Sequence, residues 1–232
     1  MAPPYEGDSN QNNVPGITGT NTAGGRGVAG FSDTWQGVYG HSGTQAGVVG
    51  ESDGFDGVWG VSHNQQAAGI SGHNPGGLAG FFEGNVTVTG DISLPGADCA
   101  EQFDVVGTEP CEPGMVMVIS PDGGALEPSQ EAYDRRVAGV ISGAGDLKPG
   151  ITLDKQQTEY ARMAIALIGK VYCKVDADLS PISVGDLLTT SPTPGHAMKA
   201  ADPARAFGAV IGKALQPRMS GRGLIPIVVA LQ

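Results

Sequence analysis

The chain has 232 residues, of which 38 are glycine and 16 proline, with 40% apolar and only 6% aromatic residues. Glycine at this level without a strict every-third-residue period excludes collagen and leaves turn-rich β structure or disorder. With 13 basic against 24 acidic side chains the formal charge is −11, so a phosphate backbone is repelled and nucleic acid is not an expected partner.

Residues 1–15, MAPPYEGDSNQNNVP, lack the basic and apolar regions of a Sec signal peptide and read as a flexible N-terminal segment. No apolar run reaches membrane-spanning length, so no membrane insertion is expected. From residue 16 a short unit recurs: Gly, apolar, any, Gly, any, Ser or Asn. Copies begin at Gly16, Gly27, Gly37, Gly47, Gly57 and Gly69, with a degenerate seventh at Gly77. Regular spacing argues for order rather than disorder.

Read with a strand period of two, each copy puts its apolar residue, second glycine and Ser or Asn on one face. That face, Val28, Val38, Val48 and Val58 beside Gly30, Gly40, Gly50 and Gly60, is small and uniform, which suits close approach of backbones. One short strand cannot bury its face alone, so the repeats over 16–84 predict a β-helical solenoid shaft. Ten residues at about 3.3 Å each close only a very tight single-chain coil. Three chains around a common axis, each giving one strand per layer, are therefore expected.

The opposite face carries Phe31, Tyr39, His41, Trp59, Val61 and His73, with Trp35 and Phe55 in the linking loops. Trp35, Tyr39, Phe55 and Trp59 are the candidate ligand-binding residues, since exposed rings can stack on sugar faces; equally, they can pack against neighbouring chains. Rings of His41 or His73 from three chains could gather a metal, but a single histidine without a companion ligand does not define a site, and none is assigned.

Residues 85–97 form a connector in which Val86, Val88 and Ile92 alternate with polar residues, predicting a strand pair around Thr89-Gly90. From 98 to 232 short apolar segments alternate with glycine and proline turns: GMVMVIS, RVAGVIS, ARMAIALIGKVYCKV, AFGAVIGKAL and LIPIVVALQ. These predict a compact, β-rich C-terminal head, with helix expected only in SQEAYDRRV and DPARAF. The fold class is all-β.

The decapeptides followed by GNVTVTGDI resemble the glycine-rich shafts of trimeric phage-tail and tail-like injection-system fibres. GADCAEQFDV, with YDRRVAGVIS, PISVGDLLTTSPTPGHAMKA and GAVIGKAL downstream, resembles a C-terminal domain common behind such shafts. Asp98-Cys99-Ala100-Glu101 is more distantly similar to the Asp-aromatic-Ala-Glu segment of self-cleaving intramolecular chaperone domains of phage tail appendages. That resemblance implies cleavage before Asp98, with Asp98 and Glu101 as catalytic residues; Cys99 stands where the family has an aromatic. Together the resemblances imply a homotrimeric fibre on a virion, phage-tail-like particle or extracellular appendage, attaching to a surface glycan or envelope protein. A self-processing chaperone and a purely structural spacer are the alternatives.

Chemically, Asp98 could attack the carbonyl of Ala97 with Glu101 managing protons. Asp-x-x-Glu is also a helix-starting capping box, which needs neither strain nor pKa tuning. Ser191, His196 and Asp186 are the residue types of a hydrolytic triad, but no nucleophile elbow surrounds them, and Pro192, Pro194 and Gly195 read as a surface turn. GAVIGKAL lacks phosphate-loop spacing, so no nucleotide or other cofactor is expected. Cys99, Cys111 and Cys173 are odd in number and lack C-x-x-C spacing, which argues against zinc and a disulfide framework. Cys173, alternating with Val171 and Val175, reads as a buried thiol.

Overall fold

The computed structural model describes residues 7–9, 15–107 and 110–231; most of the predicted flexible segment 1–15 lies outside them. The chain divides into two compact units, Met1–Val86 and Thr87–Gln232.

In the first unit the decapeptide makes loops, not strands. Gly30 and Gly37 lie against each other at the base of one loop: a Cβ on Gly30 would stand 2.3 Å from the Gly37 carbonyl oxygen and 2.6 Å from Val38 Cγ2. The same closure recurs at Gly19 with Gly27, Gly40 with Gly47, Gly50 with Gly57 and Gly60 with Gly69. The Ser or Asn of each copy turns the loop by accepting backbone hydrogen bonds. Ser32 Oγ accepts from Trp35 N (3.0 Å), Ser42 Oγ from Gln45 N (3.1 Å) and Ser52 Oγ from Phe55 N (3.1 Å). Asn21 Oδ1 accepts from Ala23 N and Gly25 N.

Two expectations are corrected here. No strand forms among the described residues of 16–97, so the chain by itself shows no solenoid and no strand pair around Thr89-Gly90. The Ser or Asn caps a turn instead of sharing a sheet face with the valines. The physical reason is that a lone copy offers the backbone no neighbouring strand and the valines nothing to bury against. Val28, Val38, Val48, Val58, Ile70 and Leu78 are all between 64% and 72% exposed.

The second unit is strand-built. Its elements are β1 (Asp98–Val105), β2 (Val116–Ile119), β3 (Leu126–Pro128), β4 (Val137–Ile141), β5 (Pro149–Leu153), β6 (Ala161–Asp176), β7 (Leu187–Thr190), β8 (Ala197–Lys199), α1 (Pro203–Ala206), β9 (Val210–Ala214) and β10 (Arg222–Ala230). They join in one ten-stranded mixed sheet, ordered β10-β9-β7-β8-β6-β4-β2-β3-β1-β5, in which β6 also pairs with β10 and with β1. Those two extra pairings close the sheet on itself twice. One ring runs β6-β8-β7-β9-β10, the other β6-β4-β2-β3-β1, and the 16-residue β6 belongs to both.

Two apolar clusters fill the unit, the larger of them reaching Val116 of β2 and Val140 of β4 as well. Val171, Cys173, Val175, Leu188, Ile211, Ile225 and Ile227 pack together in the first. Val105, Met117, Leu126, Ile141 and Ile165 fill the second. The long apolar run of β6 is what allows this, since its N-terminal half supplies Ile165 and its C-terminal half Val171, Cys173 and Val175.

Of the two predicted helices, DPARAF holds: Asp202 caps α1, its side chain accepting from Ala204 N at 3.0 Å, with Pro203 at the first position. SQEAYDRRV is not helical. Tyr133 adopts a left-handed φ of 61°, and Asp134 bonds Arg136 locally through the Arg136 backbone N, Nε and Nη2. A side chain that satisfies its neighbours this way competes with the helix.

Candidate functional site

Residues 94–98 run onto the edge of the second unit where β1 begins. Ala97 N donates to the Lys148 carbonyl (2.8 Å) and Lys170 N donates to the Ala97 carbonyl (3.1 Å), so this residue is tied on both sides. Gly169 faces it with φ 108°, and a Cβ there would stand 2.7 Å from the Ala97 oxygen. Only glycine fits that position at this backbone angle. Leu94, Ala97, Asp98, Cys99, Ile151 and Ile168 line an open, mostly apolar cleft at this point.

Asp98 is 5% exposed. Its Oδ2 accepts a 2.7 Å hydrogen bond from Ser142 Oγ, while Oδ1 is buried with no partner among the described residues. Burial pushes the carboxyl above its ordinary range, and the Ser142 bond opposes that shift only in part. Glu101 lies three residues on in the same strand, where burial alternates from Asp98 through Ala100, and it is half-buried on the alternate side. The two carboxylates are therefore not brought together in this arrangement. The capping-box expectation is corrected: Asp98 and Glu101 lie in β1, paired antiparallel with β6 at Gly169 and Ile165, and start no helix.

The triad types are spent on local structure. Ser191 is buried and its Oγ donates to the carbonyls of Thr193 and His196, His196 Nδ1 lies 2.7 Å from the Pro194 carbonyl, and Asp186 pairs with Lys199 and Ser183 N. Cys173 is fully buried, with its thiol pushed up to about 12 by desolvation, and neither it, Cys99 nor Cys111 is in a disulfide. No group of three or more His, Cys, Asp or Glu able to hold a metal occurs among the described residues. None of their helices is long and apolar enough to cross a membrane.

In the first unit the four aromatic candidates Trp35, Tyr39, Phe55 and Trp59 are all exposed. Phe55 and Trp59 meet with ring centroids 6.0 Å apart and planes tilted by 54°, and Tyr39 stacks on His41 at 6.4 Å. Asp33, Thr34, Trp35 and Gln36 line one open hollow. Sequence reasoning missed the tie of Ala97 to Lys148 and Lys170 and the partner Ser142, because all three are distant in sequence and carry no motif.

No protein-family model matches the chain, and no curated protein matches it. Among solved structures it is similar to the C-terminal fragment of bacteriophage phi29 gene product 12, at 13% identity and TM-score 0.38, over 57% of this chain and 100% of that one. It is similar to pre-mature phi29 gene product 12 at 15% identity and TM-score 0.42, over 66% of this chain but only 24% of that one. A third likeness is to the N base of the phi29 head fiber gp8.5, at 17% identity and TM-score 0.28, over 58% of this chain and 90% of that one. The β-rich character of the second unit stands on its own ten-stranded sheet, and the three solved structures are all bacteriophage phi29 proteins, one of them a head fiber.

Proposed function

We propose that the chain is a homotrimeric fibre or appendage component of a phage or phage-tail-like particle, whose repeat unit assembles with two other copies and whose second unit is a head. One observation carries this reading: the valine stripe of the repeats is exposed in the single chain, copy after copy. Burying each Val, Ile or Leu stabilises an assembly by about 1.5–3 kcal/mol, and six such positions per chain are 64% to 72% exposed in the unit. Attachment follows as the work of such a fibre, with three heads or three shaft faces multiplying weak contacts to a surface glycan or envelope protein.

Light scattering of the purified protein tests it. A mass of three chains supports the reading, and a stable, folded single chain overturns it.

A second reading, self-processing before Asp98, is favoured by the buried carboxyl with one unpartnered oxygen beside the Ala97–Asp98 peptide. In that step Asp98 Oδ attacks the Ala97 carbonyl carbon, the Ala97–Asp98 C–N bond breaks as the amine leaves with a proton taken from water, and a further water hydrolyses the resulting mixed anhydride to the free Ala97 carboxyl and the Asp98 carboxylate. Only the ionised carboxylate is nucleophilic, so cleavage would speed up as pH rises. Intact mass separates the readings: a fragment beginning at Asp98 supports processing, and an uncut chain after prolonged incubation at alkaline pH rejects it.

A further inference from the structure

The decapeptides conceal a longer period. Ser32-Asp33-Thr34-Trp35-Gln36-Gly37-Val38-Tyr39-Gly40 and Ser52-Asp53-Gly54-Phe55-Asp56-Gly57-Val58-Trp59-Gly60 are one nine-residue motif, written twice at a spacing of 20. Both have Ser-Asp at the loop entrance, an aromatic two residues on, and a second aromatic four residues after the first. The copies between and after them do not: Ser42-Gly43-Thr44-Gln45 leads to Val49, and Ser62-His63-Asn64-Gln65 lacks both the acid and the rings.

Loop closure does not demand this alternation. Ser42 Oγ accepts from Gln45 N at 3.1 Å just as Ser32 Oγ accepts from Trp35 N at 3.0 Å and Ser52 Oγ from Phe55 N at 3.1 Å. The backbone turn is thus the same with or without an aromatic. The aromatic and acidic side chains are extra, and in the structure they stand in solvent.

Their chemistry is that of cation recognition. Two π faces and a carboxylate on one short segment attract a soft organic cation, the rings through their quadrupole and the acid through its charge. Phe55 and Trp59 already form a tilted corner, and Asp33 lines the same hollow as Trp35. Arg26 is the sole base in residues 1–97, against eight acids, so the field around the motifs is negative and an anionic ligand is repelled. We infer that Asp33/Trp35/Tyr39 and Asp53/Phe55/Trp59 are twin sites for a quaternary-ammonium or similar alkylammonium group, the intervening copies acting as spacers. This names a ligand class for the attachment reading and rests on it for biological sense, but the binding itself does not require that the oligomer be a trimer.

The chain carries only two tryptophans, one in each site, so each reports its own. The full-length protein, with its oligomeric mass checked by light scattering in the same buffer, is titrated with choline and with its uncharged isostere 3,3-dimethylbutan-1-ol while tryptophan fluorescence is followed. A saturable change is expected for choline, at concentrations roughly three- to thirtyfold below those at which the alcohol acts. In a Trp59→Phe background, which leaves Trp35 as sole reporter, Asp33→Asn weakens the response. In Trp35→Phe, Asp53→Asn does the same for Trp59. No saturable change at either tryptophan, equal potency of choline and the alcohol, or a response to neutral sugars alone would each overturn the inference. A failed titration on a protein of three-chain mass leaves the trimer reading standing, whereas a single-chain mass with normal choline binding removes the trimer and keeps the sites.

Discussion

The two units of this chain solve the same problem in opposite ways. In the second, Ile165, Ile211 and Ile227 are fully buried, and two closed rings of strands leave the backbone little to share with another molecule. In the first, Val38, Val48 and Val58 stand in solvent and no strand forms. The amount of apolar residue is not the difference, because valines recur in both. What separates them is whether the segment can return to its own face: β6 is long enough to meet β1, β4, β8 and β10, whereas a decapeptide turns back only on the glycines of the next copy. The closed core of the second unit and the exposed valines of the first follow from chain length per element.

The sharpest way to break that contrast is to charge the shaft stripe. Val38→Asp with Val48→Asp is expected to convert the oligomer to single chains by light scattering, while the head keeps its cooperative thermal transition. Loss of the head transition together with the oligomer would mean that the head is not autonomous. The converse substitution is Ile165→Ala, which opens a cavity in the smaller apolar cluster and should cost about 2–5 kcal/mol in urea unfolding of the second unit, with the oligomeric mass unchanged under native conditions.

A gentler probe of the shaft is Gly40→Ala. Its Cβ would stand 2.4 Å from Val48 Cγ2 and 2.5 Å from the Gly47 oxygen, so the loop base must spread, at a cost of about 1–3 kcal/mol by analogy with overpacking. Gly43→Ala meets nothing within 4 Å and serves as the control, expected to leave shaft melting unchanged.

The smallest effects are those of pH, and they belong to the head. Burial raises the Asp98 carboxyl above its unfolded value, so its contribution is present below that value and is lost as pH rises through the folded one. Asp98→Asn should keep the Ser142 contact and flatten this alkaline-going decline. Asp176 runs the other way: the Thr193 hydroxyl first, then the Asp178 backbone N–H and Arg222, hold its carboxyl low, so its contribution is present above the unfolded value and lost as pH falls through the folded one. Thr193→Val is therefore expected to shrink the stability gained between acid and neutral pH, read as a smaller rise in the head's melting temperature over that range.

Much of the head was legible in the sequence because its apolar runs are strong: VMVI, VAGVI, the whole of β6, VIGKA and the final strand were all expected where they occur. Strands β1, β3, β5, β7 and β8 were not: the start of β1 was read as a helix cap, and segments such as Pro149–Leu153 and Ala197–Lys199 are held by their neighbours in the sheet and show little pattern of their own. Asp98 was named from the sequence, but its surroundings depend on Ser142, Lys148 and Lys170, which only the folded sheet brings near. In the repeats the spacing was legible and its local meaning was not. Ser32, Ser42 and Ser52 belong to turns because their hydroxyls find backbone N–H groups two or three residues ahead, an option that an alternation reading cannot weigh against a strand.

One further property follows from the shared strand. Gly169 and Ile168 of β6 pair with Asp98 and Cys99 on one edge and with Val229 and Ala230 on the other, so the start of β1 and the end of β10 flank the same two residues, about two strand spacings (~10 Å) apart. A short linker from Ala230 to Asp98 would join them, and new ends could then be cut at an exposed turn such as Asp122-Gly123-Gly124. The same adjacency makes the head suited to being spliced as a cassette into a loop of an unrelated scaffold, because it needs only a single point of insertion.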